Sequence, residues 1–107
     1  MDFDKARFNM VEQQIRTWEV LDQRVLDLIL ATPREEFVPQ SYRTLAFADT
    51  QLPLDDSQFM MPPREEARLI QMLALSGHEH VLEIGTGSGY LTALLARAVR
   101  RVTSVEI

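Results

Sequence analysis

The sequence contains no cysteine and only two histidines. Without cysteine the chain forms no disulfide and offers no thiolate to a metal ion. The two histidines, His78 and His80, lie two positions apart where a turn should lead into a strand, and no cluster of further ligands accompanies them. We therefore predict no metal site and a surface position for both rings.

Positive charge and long apolar runs are also scarce. The formal net charge is −5 at pH 7 and the sequence pI is about 4.9, so the chain lacks the basic surface of a nucleic-acid-binding protein. The acidic stretch MDFDKARF at the N-terminus has no apolar segment typical of a signal peptide. No apolar run reaches the length of about 20 residues that a membrane span needs. We expect a soluble cytoplasmic protein that binds neither nucleic acid nor membranes.

Apolar spacing predicts helices over most of the first 76 residues. The first covers about residues 4 to 18, and its predicted inner side chains are Phe8, Val11, Ile15 and Trp18. The second should begin after Asp22, which can cap it, and end before Pro33. Its predicted inner side chains are Val25, Leu26, Ile29 and Leu30.

The segments that follow predict shorter elements. PREEF and SYRTLAFAD each favour a short helical turn, the second capped by Ser41, and residues 49–62 favour a loop with one short strand. Another helix should begin at Pro63 and end near Gly77, a residue suited to a left-handed C-cap.

The pattern changes after residue 77, where HVLEIG, YLTALLARAVRR and RVTSVEI predict a strand, a helix and a second strand. This order is the first β-α-β unit of a doubly wound sheet. The predicted fold class is α/β, with a helical N-terminal section at residues 1–76 and the start of a Rossmann-like domain at residues 77–107.

A glycine-rich loop, LEIGTGSGY, joins that strand to that helix. Tyr90 stands where a dinucleotide-binding motif would have its third glycine, and the loop has no lysine of a P-loop. Both differences disfavour phosphate binding. Glu83, near the carboxyl end of the strand, would repel a pyrophosphate but suits an ammonium or sulfonium centre. It could equally form a salt bridge at the strand end.

A second carboxylate, Glu106, lies 21 positions after Gly85, at the end of the second strand. An acid there can accept both hydroxyls of a ribose. A purely structural role is the alternative. Taken together, the two acids and the loop resemble the S-adenosylmethionine site of Rossmann-like methyltransferases. The predicted cofactor-binding residues are Glu83, Gly85, Thr86, Gly87, Ser88, Gly89 and Glu106.

Five segments extend the resemblance over the whole chain: MVEQQIRT, TPREEFVP, SYRTLAFAD, LPL and VLEIGTGSGY. Together they are similar to protein-L-isoaspartate O-methyltransferases. The resemblance implies a cytoplasmic repair enzyme that methylates the free carboxylate of isoaspartyl residues in damaged proteins. Because such an acceptor is already ionised at neutral pH, the reaction needs positioning rather than a general base.

The acceptor segment departs from the family pattern. Where the family has a Thr-Ile-Ser segment whose serine hydroxyl is assigned to the acceptor carboxylate, this chain has Phe59 at the threonine and Met61 at the serine position. Methionine donates no hydrogen bond, so no catalytic residue is predicted. Asp55 and Asp56 would also repel a carboxylate. A non-catalytic paralogue that binds the cofactor, and a methyltransferase for a less anionic acceptor, both stay open.

The length is the second departure, because family members continue after the second strand. We therefore interpret the chain as an N-terminal fragment that is inactive by itself. Its open strand edges and broad apolar helix surface predict self-association or partial disorder beyond about residue 76.

Overall fold

A computed structural model describes residues 1–55 and 57–106; Asp56 and Ile107 lie outside the described residues. Helix α1 (Phe3–Met10) begins after Asp2, whose carboxylate accepts a hydrogen bond from the Lys5 backbone at 3.1 Å. A π-helical segment (Val11–Ile15) and a 3₁₀ turn (Arg16–Trp18) continue it directly. The predicted first helix is therefore confirmed, although it changes its winding along its length.

The buried face of this helical run differs from the predicted one. Val11 and Ile15 are buried as expected, but Phe8 and Trp18 are exposed. The charged Arg7 is buried instead, where its guanidinium binds Glu35 at 2.7 Å. The winding changes from α to π at Val11. A buried face predicted with a single helical period is therefore wrong on both sides of that residue. Trp18 lies under the guanidinium groups of Arg64 and Arg68.

Helix α2 (Gln23–Ala31) begins as predicted, because the Asp22 carboxylate accepts from the Arg24 backbone at 2.9 Å. Val25, Leu26 and Ile29 are buried, whereas Leu30 is exposed. Two 3₁₀ turns follow, at Arg34–Glu36 and Gln40–Leu45. The predicted Ser41 cap was wrong: the second turn begins at Gln40, so its N-cap is Pro39, two residues earlier, and no side chain caps it.

Residues 49–62 form a small hairpin rather than a loop with a single strand. Strands β1 (Leu52–Pro53) and β2 (Phe59–Met60) pair antiparallel, with Leu52 opposite Met60. The hairpin leads directly into α3 (Pro63–Leu73), which has proline at its first position as predicted.

The end of α3 differs from the prediction. Ala74, not Gly77, is its left-handed C-cap, with φ of 49°. Gly77 has φ of 102° in the turn that follows, where its N–H donates to the Glu79 carboxylate at 3.0 Å. No helix within the described ranges 1–55 and 57–106 is both long and apolar enough to cross a membrane.

The predicted β-α-β unit is present. Strands β3 (His80–Ile84) and β4 (Arg101–Val105) pair in parallel, and α4 (Tyr90–Ala98) connects them. The register runs from His80 opposite Arg101 to Ile84 opposite Val105. His80 binds the Thr103 hydroxyl across the pair at 3.1 Å. The α/β fold class is therefore confirmed.

One apolar core contains side chains from both predicted sections. Met10, Val11 and Ile15 of the first helical run share it with Leu94 and Leu95 of α4. The described parts of residues 1–76 and 77–107 thus pack against each other, and the division into two domains stays a prediction.

One face of the parallel pair is covered and the other is not. Glu83 is buried on the covered face, whereas Leu82, Ile84 and Val105 on the other face are 62%, 63% and 46% exposed. A parallel sheet is normally covered on both faces. This exposed apolar face, with the open strand edges, supports the expected self-association.

We predict that the 107-residue chain sediments as a dimer or larger species. The double substitution Leu82→Lys with Ile84→Lys should shift it toward monomer, because the apolar face then carries charge. Leu21→Lys is the matched control, since Leu21 is equally exposed, at 64%, but lies outside the sheet. A monomeric wild type at high micromolar concentration would refute the prediction.

Candidate functional site

The glycine loop lies at the carboxyl end of β3, where open α/β sheets bind ligands. Gly85 leaves the strand with φ of 88°, and its N–H donates to the Val105 carbonyl of β4 at 2.6 Å. Gly89 ends the loop as the left-handed residue that precedes α4, with φ of 87°. Both positions favour glycine, so the loop backbone approaches the strand ends closely.

The buried carboxylate of Glu83 joins the loop to both strands. Its Oε1 accepts hydrogen bonds from the Ser104 hydroxyl at 2.7 Å and from the Thr92 hydroxyl. Ser104 in turn lies 2.6 Å from the Thr86 hydroxyl. Because Ser104 gives its proton to Glu83, Thr86 must be the donor in that contact.

The salt bridge considered for Glu83 is absent from the described part of the chain, where only hydroxyl groups bind this carboxylate. Among residues 1–55 and 57–106, no hydrogen bond ends on its second oxygen, Oε2. The arrangement holds the side chain in place and leaves one oxygen for a ligand.

Two adjoining cavities open on the loop, with volumes of about 110 and 340 Å³. They share Leu54, Phe59, Gly85 and Gly87, so we treat them as one cleft. Glu83 lines the smaller cavity and Glu106 the larger. The two predicted acids therefore line adjoining parts of one cleft, each together with Gly85 and Gly87 of the glycine loop.

Six of the seven predicted site residues line this cleft: Glu83, Gly85, Thr86, Gly87, Ser88 and Glu106. The seventh, Gly89, is not among the residues that line it. A Cβ on Gly89 would lie 3.7 Å from Phe37, so this glycine contacts the core instead. Whether these residues bind a cofactor stays a prediction.

The hairpin and the residues that follow it form another part of the cleft wall. This part is apolar, with Leu54, Phe59, Met60 and Met61, and Leu91 of α4 adds a further apolar side chain. Met61 thus lines the same cavity as the glycine loop. The charged side chains that line the cleft within the described residues are Glu66, Glu83 and Glu106, all of them acidic.

A buried ion pair behind this wall was not predicted. Arg34, fully buried, donates to Glu66 at 2.5 Å, to the Met61 carbonyl at 2.9 Å and to the Ala46 carbonyl at 2.7 Å. Its guanidinium also lies 4.5 Å from the centre of the Tyr90 ring. One side chain thus fixes the Met61 segment, α3 and the start of α4.

Burial shifts the pKa values of two groups in this cluster. It raises the pKa of Glu66 to about 7, although the Arg34 charge acts in the opposite direction. It also raises the pKa of Tyr90 to about 12. The Tyr90 hydroxyl is buried and has no hydrogen-bond partner within the described residues.

The sequence carried one signal for this cluster. Glu66 precedes Ala67 and lies four positions before Ile70, which places a carboxylate on the buried face of α3. No such signal of burial marks its partner, Arg34, because that residue lies in a charged stretch that resembles a solvated turn. The residues that the structure describes contain no group of three or more side chains able to hold a metal ion.

The loop, the parallel strands and the two strand-end acids define a Rossmann-like fold of the cofactor-binding class. Comparison with known sequences then gives the family. The chain belongs to the protein-L-isoaspartate(D-aspartate) O-methyltransferase (PCMT) family, whose model matches residues 5–107. The resemblance noted from the sequence is therefore confirmed.

Two curated relatives show the extent of the match. The chain is 47% identical over 106 residues to protein-L-isoaspartate O-methyltransferase 1 of Pelobacter propionicus, and 45% identical over 106 residues to the protein-L-isoaspartate O-methyltransferase of Geobacter metallireducens. In both cases the match covers 99% of this chain and 49% of the relative. The chain thus spans about half the length of these relatives.

Two solved structures share the fold. A protein-L-isoaspartate O-methyltransferase matches 96% of this chain and 33% of its own, with a TM-score of 0.67 and 28% identity. A Plasmodium falciparum protein assigned to the same family, solved with S-adenosyl-L-homocysteine, matches 99% of this chain and 49% of its own. Its TM-score is 0.69 and its identity 20%, so it supports the fold alone.

We predict that the free energy of unfolding falls as pH rises from about 4.5 to about 7. In that window the folded state binds a proton at Glu66 that the unfolded state has released, because the pKa is raised from 4.5 to about 7. The loss should be on the order of 3 kcal/mol. Urea denaturation at pH 5 and pH 8 measures it.

Glu66→Gln should remove this pH-dependent part of the free energy of unfolding. Glu65→Gln, at an exposed neighbour, should retain it. Glu79, whose pKa backbone N–H groups lower to about 2, changes stability only below this window. Equal pH dependence in the wild type and Glu66→Gln would show that Glu66 titrates as an ordinary carboxylate.

Proposed function

We propose that the protein is an S-adenosylmethionine-dependent methyltransferase whose cofactor site is the cleft around the glycine loop. One observation carries the proposal: two strand-end carboxylates, Glu83 and Glu106, line adjoining cavities that share the glycines of a backbone loop. The Plasmodium falciparum protein that shares the fold is solved with S-adenosyl-L-homocysteine, the demethylated form of this cofactor.

The side chains of the cleft fit such a cofactor chemically. Glu83 would accept from the ammonium group with Oε2, while its hydroxyl partners hold Oε1. Glu106 would accept the two ribose hydroxyls. The loop from Gly85 to Ser88 would approach the methionine part through its backbone. When bound, the cofactor supplies a methyl group that is already activated by the sulfonium charge.

The proposed acceptor is the isoaspartyl carboxylate of damaged proteins, the substrate that gives the relatives their name. An ionised carboxylate attacks without a general base, so the task of the protein is to position it and exclude water. We propose that this takes place in the cytoplasm, and that the 107-residue chain is inactive by itself.

One observation favours a second candidate. Cationic side chains are absent among the described residues that line the cleft, and its acceptor wall is apolar. Such a wall suits an acceptor less anionic than isoaspartate. It also suits a non-catalytic paralogue that retains the cofactor. Transfer of a labelled methyl group to an isoaspartyl peptide, using the protein at its full natural length, separates the candidates.

Glu106→Ala should weaken cofactor binding by about 10- to 150-fold, because it removes a charged acceptor of the ribose hydroxyls. Isothermal titration calorimetry of the full-length protein with S-adenosylhomocysteine measures the change. Glu36→Ala, at an exposed glutamate outside the cleft, should leave the affinity unaltered. Unchanged affinity in Glu106→Ala would remove Glu106 from the site.

Isoaspartyl methylation should be weak at pH 8, because Met61 offers no donor to the acceptor carboxylate. Met61→Ser should increase the rate about tenfold, since a hydrogen bond to a charged group contributes about 1.5 kcal/mol or more. Met61→Ala is the control, since it shortens the side chain without adding a donor. Wild-type turnover that Met61→Ser fails to raise would show that this position is not limiting.

A further inference from the structure

Building on the proposed methyl transfer, we propose that Glu66 in its protonated form donates to the acceptor carboxylate the hydrogen bond that Met61 cannot donate. Glu66 would then be a positioning residue for the acceptor, supplied from α3 rather than from the hairpin. Its neutral carboxyl group would donate the hydrogen bond that the serine hydroxyl donates in the family pattern.

The geometry places Glu66 where such a donor is needed. It lines the same cavity of about 110 Å³ as Met61, opposite the glycine loop. The residue is only 2% exposed, so this cavity is where its carboxyl meets a ligand. Its Oε1 accepts from Arg34, and Oε2 accepts no hydrogen bond from the residues that the structure describes. A proton on Oε2 could therefore point into the cavity.

The charges around Glu66 allow it to become neutral. Arg34 faces it from the 3₁₀ turn, the Tyr90 hydroxyl adds no charge below about pH 12, and Glu65 is an exposed neighbour on the same helix. Glu83 lines the same cavity from β3. When an acceptor carboxylate enters and Glu66 takes up a proton, Arg34 balances the charge of the acceptor instead of that of Glu66.

The raised pKa of Glu66, about 7, agrees with a state in which Glu66 is neutral and Arg34 balances the charge of the acceptor. A second anion nearby raises the pKa of a carboxyl further. Binding of an isoaspartyl acceptor above pH 7 should therefore be coupled to uptake of a proton from solvent. A carboxyl group remote from the acceptor would show no such coupling.

The transfer step balances without moving this proton. An oxygen of the acceptor carboxylate forms a bond to the methyl carbon as the bond from that carbon to sulfur breaks. The anion and the sulfonium become a neutral ester and a thioether. Glu66 keeps its proton during transfer and releases it after the ester leaves, since no neighbouring anion then raises its pKa.

Other hydroxyl groups near the cleft are less suited to this task. The Tyr90 hydroxyl is buried and does not line the cleft. Ser88 lines the cavity, but it lies in the glycine loop, on the cofactor side, and its Oγ accepts from the Tyr90 backbone at 3.2 Å.

Calorimetry on the full-length protein, saturated with S-adenosylhomocysteine, tests the proposal. An isoaspartyl peptide is titrated at pH 8 in two buffers of different ionisation enthalpy, which gives the protons taken up per peptide bound. We expect close to one proton for the wild type and for Glu65→Gln, and none for Glu66→Gln. Wild-type affinity should also fall about tenfold per pH unit between the pKa of Glu66 in the free protein, about 7, and its higher pKa in the complex.

Glu66→Gln separates positioning from structure, because its amide N–H remains a donor at every pH. Its affinity for the peptide should be independent of pH between 6 and 9. Peptide binding without proton uptake in the wild type, or with uptake unchanged in Glu66→Gln, would overturn the proposal. The proposal would also be overturned if the peptide did not bind a protein that holds S-adenosylhomocysteine. If S-adenosylhomocysteine itself did not bind, the proposed function would be overturned instead.

Discussion

The ion pair between Arg34 and Glu66 is the interaction on which the arrangement of this cleft depends. Both side chains are buried, so each depends on the other for a hydrogen-bond partner, whether Glu66 is ionised or protonated. Arg34 also donates to the carbonyls of Ala46 and Met61 and stacks on Tyr90. A single guanidinium therefore connects the early 3₁₀ turns, the hairpin, α3 and α4, and fixes the distance between the acceptor wall and the glycine loop.

A second network holds the side of the cleft that is formed by the glycine loop, where we propose that the cofactor binds. Glu83 accepts from hydroxyl groups of α4 and β4, and the Thr86 hydroxyl extends this chain of hydrogen bonds into the loop. The loop is therefore fixed to both strands and to the helix that follows. The two networks meet at the smaller cavity, where Glu66 and Glu83 both line the wall. In the proposed function, one carboxylate serves the cofactor and the other the acceptor.

The sequence predicted what depends on local periodicity and on glycine. The β-α-β unit, the capped start of α2 and the clustering of Glu83 with Glu106 follow from strand alternation and from the position of strand ends in a parallel sheet. What it did not predict depends on contacts between distant segments. Arg34 and Glu66 are 32 positions apart, and neither residue indicates its partner. The exposure of Phe8 and Trp18 likewise follows from a change in helix winding that no apolar pattern reveals.

A crystal structure of the full-length protein with S-adenosylhomocysteine and an isoaspartyl peptide, grown near pH 6, tests the account most directly. The account predicts the cofactor amino group on Oε2 of Glu83, the ribose on Glu106 and the peptide carboxylate within hydrogen-bond distance of Oε2 of Glu66. A cofactor bound away from the glycine loop, or a peptide carboxylate that contacts neither Glu66 nor the Met61 segment, would contradict it.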